Sequence, residues 1–293
     1  MTRSMHQAQV PFWKTRRGQQ RLVYVLSLVA IVGFAAVLLL PFFWLLSTSL
    51  KRPEEVYLQP PVWLPPVPQW NNYVDALRLV PLYQYALNTF TIVGFVLVGT
   101  VFSCSFSAYG FARLRAPGRD AIFMVLLSTL MLPGAVTLVP TYLLFNYFGW
   151  VNTLLPLIVP AFFGNAFFIF LLRQFYVTIP RELEEAATID GANPYRIWWH
   201  IMLPLSKPAL ATVAVFTFVT TYNDFFTPLI YLTDESKRTI AVALSYFQGS
   251  PRVGPQMHLL MAAVALSIIP PLVLFLFTQR YFVRGIATSG IKG

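Results

Sequence analysis

The chain has 293 residues, of which 57% are hydrophobic, 16% aromatic and only 11% charged, against about 25% charged in soluble domains. That balance excludes an ordinary soluble protein, and a single cysteine, Cys104, excludes an internal disulfide framework or a Cys-rich metal site. The net charge of +10 raises nucleic acid as a partner until the placement of the charges is known.

A helix needs about 20 apolar residues to cross a hydrocarbon core of about 30 Å. In chain order, a basic tail over residues 1–21 precedes a first predicted span at 22–46, with no small-residue cleavage site between them, so it reads as an uncleaved anchor. The second span is predicted at 85–111, and Cys104 lies in it as a packing residue. Residues 121–172 then run for 52 positions without a charge, about 78 Å of helix and right for two crossings. The third and fourth spans are placed at 121–143 and 154–176, with the turn at residues 148–152. The fifth and sixth follow at 208–232 and 257–282, closing a transmembrane domain over 22–283 before a tail at 284–293. Prolines inside these spans, at Pro41, Pro133, Pro140, Pro156, Pro160, Pro270 and Pro271, predict kinked helices.

Orientation follows from Lys and Arg, because short basic loops resist translocation. Fifteen of the 21 fall on the side of the two termini, the loop between spans two and three, and the loop between spans four and five. Both termini are therefore expected in the cytoplasm of a bacterial-type membrane. The surplus positive charge becomes topology, and no nucleic-acid partner is needed. The outward loop at 47–84, rich in Pro and Trp (Trp63, Pro65, Pro66, Trp70), is expected as stiff extended chain near the headgroups.

The inward loop at 180–207 reads as two short helices. Pro180 presets a first turn and Glu182, Glu184 and Glu185 follow where acids favour a helix N-terminus. Leu183, Ala186 and Ala187 share a slim apolar face. Gly191 supplies a stop, Asn193 a cap and Pro194 the first position of the second helix. About nine residues span only ~14 Å and are not stable alone in water, so the first helix has to dock. It could lie on the membrane, but an acidic helix with a slim Leu/Ala face, rather than a bulky face rimmed with Lys and Arg, favours a partner's groove.

The run Glu185-Ala186-Ala187, then Gly191, then Ile201-Met202-Leu203-Pro204 resembles the EAA loop of permease subunits in binding-protein-dependent ABC importers. Ile189-Asp190-Gly191-Ala192, Tyr222-Asn223-Asp224-Phe225-Phe226 with Pro228-Leu229, and the closing residues 289–293 resemble the second permease of the carbohydrate-uptake, maltose-type branch. The resemblance implies an all-α polytopic fold of six transmembrane helices with a cytoplasmic coupling helix. It implies as partners a second homologous permease, two ATPase subunits and an extracytoplasmic solute-binding protein. Glu185, Ala186, Ala187, Asp190, Gly191, Ile201, Leu203 and Pro204 would then couple to the ATPase. ATP and Mg would belong to the partner subunits, since no Gly-Lys pair of a phosphate-binding loop occurs here, and no cofactor is expected in this chain.

Asp224 is the one acid inside a predicted span, and such carboxylates are costly enough to mark function. A gate or interhelix hydrogen bond with Asn223, a contact on the solute path and a proton-coupling site all remain open. Tyr222, Asn223, Asp224 and Phe225 are the candidate residues of that region. His6, His200 and His258 share no ligand spacing, so no metal site is expected. A secondary transporter would carry more intramembrane charge or interrupted repeats, and a membrane-embedded enzyme would need a catalytic motif that is not present.

Overall fold

The computed structural model describes residues 16–248 and 256–289. Most of the N-terminal tail with His6, Arg252, and the final run from Gly290 lie outside the described residues. Among the described residues every regular element is a helix.

The first helix, α1 (Arg16–Ser49), carries Pro41 inside it and leaves its apolar side chains exposed from Leu22 to Phe43, with Trp44 and Leu45 partly covered. Beyond it, the outward loop differs from the extended chain expected. It folds back through a 3-10 turn at Pro53–Tyr57 and a helix α2 (Asn71–Leu79). Polar anchors explain this: Asn72 Nδ2 donates to the carbonyls of Ser49 and Lys51, each at 2.8 Å, and Gln69 N donates to Leu50 O at 2.9 Å. Trp63 packs edge-on to Trp44 with centroids 5.4 Å apart. Lys51 is fully buried, its Nζ 3.7 Å from the Trp44 ring centroid and 3.2 Å from Thr48 Oγ1.

Helix α3 (Leu82–Arg113) is the axis of the fold. At 32 residues it runs about 48 Å. It turns small residues toward its neighbours, and in membranes such residues let backbones approach closely. An added Cβ on Gly99 would lie 2.8 Å from the Phe162 ring, Ser103 Oγ donates to Ala161 O at 2.9 Å, and Cys104 Sγ accepts from Asn165 N at 3.2 Å. Cys104 is thus the packing residue expected.

After α3, the third predicted span is broken. Helix α4 (Arg119–Ser128) continues as a 3-10 turn to Met131 and meets α5 (Gly134–Tyr147) at a bend of 101°. Pro133 lacks an N–H to continue the ladder and its ring pushes the preceding turn aside. The expected turn follows: Gly149 at φ 69° and Asn152 at φ 62° reverse the chain.

The fourth span starts as a short helix α6 (Leu155–Ile158) and a 3-10 stretch Val159–Phe163, breaks at Gly164 with φ 88°, and resumes as α7 (Ala166–Val177). Asn165 caps α7 by accepting from Phe167 N and Phe168 N. The loop 180–207 forms α8 (Glu182–Ile189), α9 (Pro194–Ile197), a π-helical turn Trp198–Met202 and α10 (Leu203–Leu205), and it bends by 80° into α11 (Lys207–Tyr222).

The fifth predicted span also differs. Helix α11 stops after 16 residues, about 24 Å, and α12 (Phe226–Tyr231) begins beyond the break. Helices α13 (Ile240–Ser245) and α14 (Met257–Ser289) complete the chain, α14 with Pro270 and Pro271 inside it. Among the described residues, four helices are long and apolar enough to cross a membrane, or up to six if each bent pair is one span.

Two cores form along α3. Near its Arg113 end, Cys104, Ala108 and Tyr109 pack with Leu172 and Tyr176 of α7, Trp198, Met202 and Val213. Near its Leu82 end, Val93 packs with Ala76, Phe218, Tyr222, Ala243 and Ala262. Helix α1 lies against α14.

Candidate functional site

The acidic helix α8 takes the form its residues predict. It spans eight residues, its N-terminal acids complement the helix dipole, and Gly191 ends it at φ 79°. Asn193 Oδ1 then accepts from Arg196 N at 2.9 Å with Pro194 at the first position of α9.

One ion pair not foreseen from the sequence holds α8 in place. Glu184 Oε1 lies 2.8 Å from Arg113 Nε at the end of α3, with the two side chains 14% and 5% exposed. Arg113 Nη2 also donates to Tyr176 O at 2.7 Å and to Ile179 O. A single guanidinium therefore ties together the ends of α3 and α7 and the flank of α8. Burial raises the Glu184 carboxyl above its ordinary pKa, against the attraction of Arg113 and Arg181. Arg113 reads in the sequence as a topology charge, and Glu184 as one of three equivalent acids, so spacing alone offered no sign of the pair.

The predicted coupling residues divide into two sets. Glu185, Ala186, Asp190 and Gly191 are exposed, as is Ile189 at 86%. Ala187, Ile201 and Leu203 pack from their partly buried positions against the core at the Arg113 end, while Pro204 is exposed. The outward-facing surface of α8 is thus left uncovered by its own chain, and the second half of the motif anchors it.

The second region is the break between α11 and α12. Asn223 Nδ2 donates to Val219 O at 2.8 Å and Asp224 Oδ1 accepts from Thr227 N at 3.1 Å. Asp224 thereby satisfies an N–H that a continuous helix would have paired, whereas the Asn223 amide adds a second donor to a carbonyl that already accepts from Asn223 N at 3.2 Å. Asp224 therefore sits at a helix boundary rather than within one crossing helix. Among the described residues it forms no ion pair. It lines a cavity of about 210 Å³ shared by five threonines, Thr89, Thr220, Thr221, Thr227 and Thr239, and by the apolar Ile92, Pro156, Leu157 and Pro228.

The four candidate residues do not face one cavity. Tyr222, Asn223 and Phe225 line a different space of about 580 Å³ against α13 and α14. Tyr222 is buried, its hydroxyl donating to Ser267 O at 2.8 Å and its ring stacked on Phe218 at 5.4 Å. It clamps α11 to α14. Among the described residues no group of three or more His, Cys, Asp or Glu is placed to hold a metal.

Apolar helices long enough to cross a membrane, joined by short loops and small helices, define an all-α membrane protein. Residues 6–288 match the family described as binding-protein-dependent transport system inner membrane component, and the chain belongs to that family as a membrane permease subunit of an ABC importer. It is 33% identical over 282 residues to the sn-glycerol-3-phosphate transport system permease protein UgpE of Pectobacterium atrosepticum, covering 94% of this chain and 99% of that one. It is 31% identical over 284 residues to the melibiose/raffinose/stachyose import permease protein MelC of Bacillus subtilis, covering 95% and 100%. A solved bacterial ABC transporter involved in importing the acidic polysaccharide alginate has a chain superposing with a TM-score of 0.79 at 25% identity, over 92% of this chain and 98% of that one. These matches bear out the family resemblance.

Proposed function

We propose that this chain pairs with a second, homologous permease to form the translocation path for a sugar or related polyol. An external binding protein delivers the solute, and two cytoplasmic ATPase subunits that bind ATP and Mg supply the energy. Six crossings, with each bent pair counting as one and both termini in the cytoplasm, fit the distribution of Lys and Arg. The sugar class is supported by the melibiose/raffinose/stachyose and alginate systems to which the chain is similar.

The observation that carries the reading is α8: a helix too short to stand alone, ion-paired to α3 on one flank and uncovered on the other. Glu185, Ala186, Asp190 and Gly191 present that uncovered side to an ATPase groove, Ala187, Ile201 and Leu203 support it from the core, and the exposed Pro204 lies at the end of the same motif. ATPase closure displaces α8. Arg113 passes that displacement to α3 and α7 as a rigid-body movement, and the break at Asn223–Asp224 gives the outer end of α11 a place to yield.

Glu185→Lys reverses charge on the uncovered face, and Gly191→Pro requires φ near −65° where the chain has 79°. Both variants, purified with their partner subunits and reconstituted in vesicles, are expected to lose binding-protein-stimulated ATPase activity and uptake. Unchanged co-purification of the ATPase together with normal uptake would overturn the coupling role.

A further inference from the structure

Where α3 ends and α4 begins, the surface carries two concavities that the transport reading does not use. One is an apolar groove of about 470 Å³ between the end of α3, the start of α4 and α9, walled by Phe106, Phe111, Leu114, Ile122 and Tyr195. The Phe106 and Tyr195 rings stack 5.9 Å apart at its side. The other, also about 470 Å³, is formed by residues 115–121 and shares Ala116, Pro117 and Arg119 with the groove, so the two are continuous. Their chemistry differs sharply. The groove offers almost only carbon, whereas the second concavity offers Arg115 and Arg119.

The charges there are unequally spent. Arg119 is engaged by the Asp120 carboxylate at 2.9 Å and by Leu114 O at 3.0 Å. Arg115 is exposed and has no ion pair among the described residues. The site therefore carries one net positive charge at its mouth. Depth follows from the helix: Phe106 lies seven residues before Arg113, about 10 Å deeper along α3. Arginines belong at headgroup level and cannot rest in hydrocarbon without cost, so the groove descends from the headgroups into the acyl region.

We propose that this paired site holds one anionic phospholipid, its phosphate-bearing headgroup against Arg115 and one acyl chain along the groove. An apolar slot with an unpaired cation at its mouth complements an amphiphile that is negative at one end. A zwitterionic lipid offers no net charge to match Arg115. A bound lipid there buttresses the hinge between α3 and α4 and the start of α9, the element that follows α8.

The test uses the purified transporter complex, native mass spectrometry and added phosphatidylglycerol or phosphatidylcholine. The wild type is expected to retain phosphatidylglycerol in preference to phosphatidylcholine. A basic side chain at a membrane surface contributes about fivefold to anionic-lipid affinity, so Arg115→Glu, which changes two charges, weakens binding by about thirtyfold. Ile122→Trp fills the groove without touching the charge and is expected to displace the same lipid. Both positions are exposed, so the complex should assemble, and co-purification of its subunits checks that. Equal retention of the two lipids by the wild type, or phosphatidylglycerol retention unchanged in both variants, overturns the proposal. So does a photo-crosslinker at position 122 that captures another subunit of the complex instead of lipid.

Discussion

Replacing Arg113 by Ala removes the guanidinium that holds Glu184, Tyr176 O and Ile179 O at once. Its side chain and that of Glu184 are 5% and 14% exposed, so solvent neither screens the pair nor rescues the acid left behind. Stranding one member of a buried pair costs about 3–5 kcal/mol, enough to raise the local opening of α8 by about two to four orders of magnitude. Glu184→Gln keeps the shape and an acceptor oxygen and leaves Arg113 its two carbonyls, so the expected loss is about 1 kcal/mol. The double variant strands no charge and is expected to be less destabilised than Arg113→Ala alone. Hydrogen exchange of the 182–189 amides in the purified complex reads these differences directly. The pH dependence has a definite sign. Because burial raises the Glu184 carboxyl by more than Arg113 lowers it, the docked helix holds the acid's proton more tightly than the free one, so docking weakens as pH rises through the raised value and Arg113 offsets only part of the cost of the buried charge; Glu184→Gln abolishes that slope. Exchange of α8 that is unchanged in Arg113→Ala, or a double variant worse than the sum of the singles, would refute the ion pair as the anchor.

Three further outcomes are expected. Gly191→Ala meets no atom within 4 Å but keeps φ at 79°, so backbone strain of about 1–2 kcal/mol should lower coupled ATPase activity while the subunits still co-purify. Gly99→Ala places a methyl 2.8 Å from the Phe162 ring; overpacking of about 1–3 kcal/mol should appear as a lower Tm of the purified complex. Asp224→Ala loses the acceptor for Thr227 N, worth about 1 kcal/mol as a cap, and should reduce uptake without preventing assembly. Asp224→Asn keeps the cap, so uptake by that variant separates the charge from the helix boundary.

What could be read from the residues was what local chemistry dictates. The acids of α8, its stop at Gly191 and the Asn193–Pro194 start of α9 all depend on neighbours within four positions, and each formed as expected. The apolar runs likewise announced the membrane class. The breaks were harder. Pro133 promised a kink, but a bend of 101° depends on what receives the two halves. Asn223 and Asp224 look like intramembrane polar residues until their side chains are seen closing the ends of α11 and α12. The Arg113–Glu184 pair joins residues 71 positions apart in the sequence, and its partners were set by packing of α3 on α7, which no spacing rule reports.

Lys51 also bears on how this membrane topology can be mapped. It belongs to the outward loop by sequence, yet it is fully buried beneath Trp44, and burial lowers its pKa despite the nearby Glu55. An amine-directed reagent added from either side of the membrane should leave it unmodified, and trypsin should pass it by in the folded chain. Silence at this lysine is a report of the fold of the loop, not of the side of the membrane on which the loop lies.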